Sequence, residues 1–163
     1  MKLFRFTFFV LLALSLCSCS VREKGTAEIL SELMSELDGL PSGVVYDADA
    51  EEGEDGYLSP FMAEALYGED ASECFALAED YSIYLSAYAT PYEIAVFRCY
   101  SSTDATRIEQ LCRDRADIVS VALRSTEFYR LCQSIRIIKR GHTVVFAMTD
   151  EPEKALRHIK ALI

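Results

Sequence analysis

The chain has 163 residues, with 26 acidic side chains against 16 basic ones and a formal net charge of −10. That length is enough for one domain with a core of its own. So acidic a chain argues against nucleic acid, and it would repel phosphate or anionic lipid unless basic residues were concentrated; along the sequence they occur only in short runs.

The first element is a leader. Lys2 and Arg5 open it, and Phe6 to Leu16 is an apolar run broken only by Thr7 and Ser15. Such a run suits a signal-peptide core and is too short to cross a bilayer as a stable helix. It ends in "LSLCSCS", where Ser18 precedes Cys19 and Leu16 stands three positions before it. This is the arrangement of a bacterial lipoprotein junction, so Cys19 is the expected lipidation site. Cys17 does not fit, because bulky Leu16 would occupy the place where the peptidase needs a small residue. An ordinary secretory cut near Ser18 or Ser20 is the alternative. A redox or zinc pair is poorly served by two thiols one residue apart with no second Cys/His cluster nearby. At about 0.8 kcal/mol per buried methylene, two or three acyl chains make a permanent tether. The expected organisation is a signal peptide at 1–18, a lipid-anchored spacer at 19–26 and a single domain at 27–163, held on the extracytoplasmic face of the cell membrane.

Loss of Lys2 and Arg5 with the leader leaves 145 residues with 14 basic against 26 acidic side chains, a net charge of −12. Four cysteines remain besides the anchor: Cys74, Cys99, Cys112 and Cys132. Each falls at an apolar position of its element, as small buried residues do, although an even number in an oxidising compartment could also form two disulfides.

After the spacer, Thr26 is placed as an N-cap, and Ile29, Leu30, Leu33, Met34 and Leu37 repeat at helical spacing as far as Gly39. The acidic stretch "DADAEEGEDG" invites a calcium reading. Glu52 sits where the turn glycine belongs, however, and Leu58 where the bidentate glutamate should be, which leaves a solvated loop. Ser59 and Pro60 start a short helix that Gly68 stops. Residues 74–88 and 93–100 then alternate with period two around "ATP", predicting a hairpin. A helix follows from Thr103, with Ala105, Ile108, Leu111, Cys112, Val119, Ala122 and Leu123 as its stripe. Arg107, Arg113 and Arg115, interleaved with Asp104, Glu109, Asp114 and Asp117, predict an exposed, salt-bridged face. A short helix around Phe128, Leu131 and Cys132 comes next. A second hairpin turns at Gly141, and a final helix carries Ala155, Leu156, Ile159 and Leu162. The order hairpin, helix, hairpin, helix predicts an α+β two-layer sandwich, with a four-stranded, mainly antiparallel sheet and both helices on one face.

The stretches "ALYGED", "YSIYLSAYATPYEIAVFRCYS" and "IKRGHTVVFAMTDEPEKAL", spread over residues 65–156, resemble domain-of-unknown-function family 4358 of bacterial lipoproteins from Gram-positive anaerobes. The resemblance implies a surface lipoprotein. That family has no established activity, so no catalytic residue follows from it, and a Gram-positive source makes regular disulfides less expected.

No cofactor motif, phosphate loop, nucleophile elbow or HExxH pattern occurs, and no metal site is expected. His142 and His158 have no dyad partner at a suitable spacing. The chain therefore reads as a binding or assembly module of the cell envelope, with a protein or glycan partner. The runner-up is a small hydrolase of wall glycans or peptides. The best candidate surface comes from alternation in "EIAVFRCY". Ala95, Phe97 and Cys99 are expected to face the helices, which turns Ile94, Val96, Arg98 and Tyr100 to the other side. Either the helix with Phe61, Met62 and Leu66 folds over that side, or part of it stays open as an anchor for the partner.

Overall fold

A computed structural model describes residues 23–87 and 90–163. In chain order the elements are α1 (Thr26–Glu36), β1 (Gly43–Asp47), α2 (Pro60–Tyr67), α3 (Ala71–Phe75), β2 (Ala78–Ser86), β3 (Glu93–Cys99), α4 (Ser102–Leu123), α5 (Tyr129–Gln133), β4 (Arg136–Arg140), β5 (Thr143–Met148) and α6 (Pro152–Leu162). The strands form one antiparallel, open sheet in the order β1-β2-β3-β5-β4. The fold is α+β, as the element order predicts, but with five strands and helices on both faces.

The two central strands explain the third layer. Every residue of β5 is buried, and every residue of β3 except Arg98. A strand that is apolar at successive positions needs cover on both sides. On one side α2, α3, α4 and α5 pack around Phe97, Phe146, Ala95 and Met148. Phe75 is the hub of an edge-to-face aromatic group there, with its ring centroid 5.0 Å from Tyr81, 5.3 Å from Phe97 and 5.4 Å from Tyr67. On the other side α1 and α6 cover Ile94, Val96, Val145 and Ala147 with Ile29, Leu30, Leu33, Ala155 and Ile159. Each large apolar side chain so buried contributes about 1.5–3 kcal/mol.

Local signals place most boundaries. The Ser59 hydroxyl accepts from Met62 N–H at 3.2 Å and Ser101 from Asp104 N–H at 3.1 Å, each capping the helix that follows. Thr26, expected as a cap at the end of a spacer, is itself buried. Its N–H donates to Asp80 at 3.2 Å and its hydroxyl lies 3.0 Å from that of Ser82, so the folded body begins before residue 27. Two local expectations give way. Cys74 and Phe75 lie in α3 rather than in the first long strand, and β1 is a strand in a stretch to which the sequence patterns assign no element. The acidic loop after β1 folds back onto its outer edge, with Asp47 N–H donating to the Gly56 carbonyl at 3.1 Å. Gly56 has φ +91, and a Cβ there would come within 2.9 Å of the Val45 carbonyl. The loop thus occupies part of an edge that would otherwise offer unpaired backbone groups.

Gly141 turns the β4–β5 hairpin at φ +59 with nothing within 4 Å of a Cβ. The cost of a side chain there is backbone strain alone. Gly141→Val is expected to lower stability by about 1–2 kcal/mol, read as a reduced thermal midpoint. An unchanged midpoint would show that the turn tolerates a β-branched residue.

Candidate functional site

Cys17 and Cys19 lie outside the described residues. The expected partner surface lies inside them, and it is mostly closed. Ile94 and Val96 are 0% exposed, covered by α1 and α6. The helix with Phe61, Met62 and Leu66 is not the cover, since α2 packs on the opposite face and leaves Phe61 79% exposed. Alternation assigned the sides of β3 correctly, but it could not say which helices would fill them. Of that surface Tyr100 stays exposed, at 65%, and Arg98 is partly buried at the end of the strand.

The charged centre of the domain lies at the other end of β3. Glu93, the first residue of the strand, is 1% exposed and forms an ion pair with Arg115. Arg115 Nη2 and Nε donate to Glu93 Oε2 at 2.7 and 3.0 Å, while Nη1 donates to the Leu66 carbonyl at 2.9 Å. The Tyr67 hydroxyl donates to Glu93 Oε1 at 2.7 Å, and the guanidinium carbon lies 5.6 Å from the centre of the Tyr67 ring. Three elements therefore hold one carboxylate: α2 supplies Tyr67, α4 supplies Arg115 and β3 supplies Glu93. Burial, reinforced by the Glu93 charge, pushes the Tyr67 phenol well above its usual range and keeps it a donor. Burial disfavours the Arg115 charge, but Glu93 outweighs it and holds the guanidinium pKa above its ordinary value.

Arg115 was expected on an exposed, salt-bridged face. Arg113 does behave so, pairing with Glu109 at 2.6 Å one turn away. Arg115, two residues on, turns inward to a partner 22 positions earlier in the chain. A guanidinium has five N–H donors. Three of them are used here, and the side chain is 13% exposed, at a shallow groove of about 160 Å³ lined also by Leu66, Leu85, Ser86, Thr90 and Tyr92.

The four cysteines are free thiols, all buried in the one core cluster to which α4 contributes Cys112. Burial raises Cys99 to about 11 and Cys112 well above the ordinary thiol range, with the Glu93 charge adding to the latter, so both are held neutral. His142 sits at the β4–β5 turn, and His158 Nε2 lies 3.6 Å from Glu36. Among the described residues no group of three or more His, Cys, Asp or Glu side chains is placed to hold a metal ion. Nor is any helix among them long and apolar enough to cross a membrane.

The domain therefore has two distinct ends along β3. Arg98 marks one, where its Nη2 donates to the Lys24 carbonyl beside the N-terminal segment. Glu93 and Arg115 mark the other, about 17 Å away at strand rise. Compared with known proteins, the chain matches no family model, and no curated protein or solved structure is similar to it.

Proposed function

We propose that this chain is a lipoprotein anchored through Cys19 to the extracytoplasmic face of a membrane, and that it serves there as a binding or assembly module of the cell envelope. Its partner, a protein or glycan of the envelope, engages the end of the domain that carries Arg115. The observation that carries the reading is the groove at that end, where two unused guanidinium donors are held over a buried carboxylate. A buried ion pair adds little stability over well-packed apolar side chains. Its presence beside a groove is accounted for by what it offers a ligand: rigid N–H donors for carbonyl or hydroxyl oxygens, with the cationic charge already neutralised. Only three residues separate Cys19 from Glu23, where the described domain begins, so the Arg98 end sits at the membrane and the Arg115 end points away from it.

Two measurements test this. Cys19→Ala is expected to abolish fatty-acid labelling and membrane retention, whereas Cys17→Ala leaves an anchored protein; labelling of the Cys19 variant would refute the anchor. A photo-crosslinking residue at Ser86, on the groove rim, is expected to capture a defined envelope component, while the same residue at Lys160 on α6 does not. Equal capture from both positions would refute the assigned end.

A further inference from the structure

One edge of the sheet is only half closed. Ala87 N–H donates to the Ser42 carbonyl and Ala48 N–H to the Tyr81 carbonyl, so residues 42, 44, 46 and 48 turn their backbone groups toward β2. Gly43, Val45 and Asp47 therefore turn theirs outward. The acidic loop takes up Asp47, whose N–H donates to the Gly56 carbonyl and whose carbonyl accepts from Ala50 N–H. Among the described residues nothing takes up the outward groups of Gly43 and Val45. Val44 and Val45 are 41% and 36% exposed, on opposite faces of the strand. Val45 also lines a groove of about 250 Å³ with Leu30 and Met34 of α1. The charge around this edge is of one sign. From Gly25 to Phe97 the sequence has 17 acidic side chains and no lysine, arginine or histidine. In the loop after β1, Asp49, Glu51, Glu52, Glu54 and Asp55 are all exposed. Among the described residues no cationic side chain lies within 4.0 Å of their carboxylates.

We propose that the Gly43–Val45 edge receives an extended, lysine- or arginine-bearing segment of an envelope protein, which adds to the sheet beside β1. An added strand satisfies the unpaired edge groups, and its alternate side chains cover Val44 and Val45. The uncompensated loop carboxylates select its charge, because they attract a cationic segment and repel an acidic one. They equally repel the β1 edge of a second copy, which carries the same loop. The other edge strand of a second copy, β4, is basic, but its Arg136 and Lys139 are already paired with Glu153 and Glu109. With only two outward residues the ladder is short, so charge attraction supplies much of the affinity and salt weakens it. The free edge lies where the partner has been placed: Gly43 and Val44 pair with Ser86 and Leu85, both on the Arg115 groove. The inference deepens the binding-module reading and rests on it for the partner's compartment, though not for the edge itself.

The test uses the full-length protein in neutral detergent and three fluorescent peptides: alternating Lys-Val, alternating Glu-Val, and the Lys-Val peptide N-methylated throughout. Anisotropy is expected to show binding of the unmethylated Lys-Val peptide alone, weakening with added salt. Val45→Pro removes an outward N–H and spares the ladder to β2, so it is expected to weaken binding about fivefold or more. Glu51→Gln/Glu52→Gln/Asp55→Asn is expected to weaken it roughly fivefold at low salt. Glu69→Gln/Glu73→Gln/Glu127→Gln removes as much charge from exposed sites elsewhere and is expected to leave binding unchanged. If Val45→Pro lowers the thermal midpoint, the N-methylated peptide alone decides the strand geometry. Binding of neither charged peptide, equal binding of both, equal binding after N-methylation, or equal weakening in the two acid variants would overturn the proposal. So would self-association that the Lys-Val peptide competes away, since the occupant would then be a second copy. Fatty-acid labelling of Cys19 and crosslinking from Ser86 read the anchor and the Arg115 end separately, so loss of one result leaves the others standing.

Discussion

Arg115→Ala is expected to destabilise the protein by about 3–5 kcal/mol, because it leaves a buried carboxylate without its cation. Glu93 is 1% exposed and would keep only the Tyr67 hydroxyl as a side-chain donor, while the Leu66 carbonyl would lose its guanidinium partner. Arg113→Ala is the internal control. That arginine makes an exposed pair with Glu109 on the same helix, of a kind that contributes only about 0.3–0.5 kcal/mol. Urea unfolding of both variants measures the contrast. Replacing both buried partners, as in Glu93→Leu/Arg115→Met, is expected to restore much of the loss, since an apolar pair leaves no charge unpaired. Similar small effects for Arg113 and Arg115 would mean that Glu93 is not held by Arg115.

The second large effect is expected at alkaline pH. In the unfolded chain a thiol ionises near 9.0, whereas folded Cys99 is raised by burial to about 11 and Cys112 is raised well beyond its ordinary value. Between these limits the unfolded chain has given up protons that the folded chain retains. Stability that is fully present below about pH 9 is therefore lost as pH rises through 11, by at most about 1.4 kcal/mol per pH unit for each such thiol. Tyr67, raised well above 10.0 by burial and by Glu93, joins at higher pH with the same sign, as does Tyr92, raised to about 12 by burial and by its hydrogen bond to Asp150. Urea midpoints measured across this range should fall steeply in the wild type and less steeply in Cys99→Ala and Cys112→Ala. Alkylation in denaturant without reductant, read by mass spectrometry, is expected to label all four core thiols. A slope that neither substitution changes, together with unlabelled cysteines, would show that the thiols are bonded rather than free.

The elements that were legible in the sequence are those whose signal is local. The stripe of α4 from Ala105 to Val119, the apolar face of α6 and the Gly141 hairpin each follow from periodicity or from one glycine in the positive-φ region, and the structure has all three. β1 escaped notice because "GVVYD" is short, borders an acidic loop and becomes a strand only by pairing with β2. The number of layers was also hidden. Ile94 and Val96 were too apolar for water, which required a cover, but the choice of α1 and α6 over α2 depends on how helices far apart in sequence pack across the sheet. The two charged ends carry the same lesson. The interleaved charges of the helix placed Arg113 and Arg115 together on one exposed, salt-bridged face. Only the meeting of α4 with the start of β3 gave Arg115 a buried partner. Lys24, Arg98, Arg140 and His142 form no run in the sequence, yet they line one groove. Composition and periodicity determined an acidic α+β domain and the faces of its strands, since these depend on residues near one another in the chain. The buried ion pair and the groove at the Arg98 end were decided by tertiary structure, because electrostatic interaction depends on distance in space, and the fold brings side chains more than a hundred residues apart into one groove.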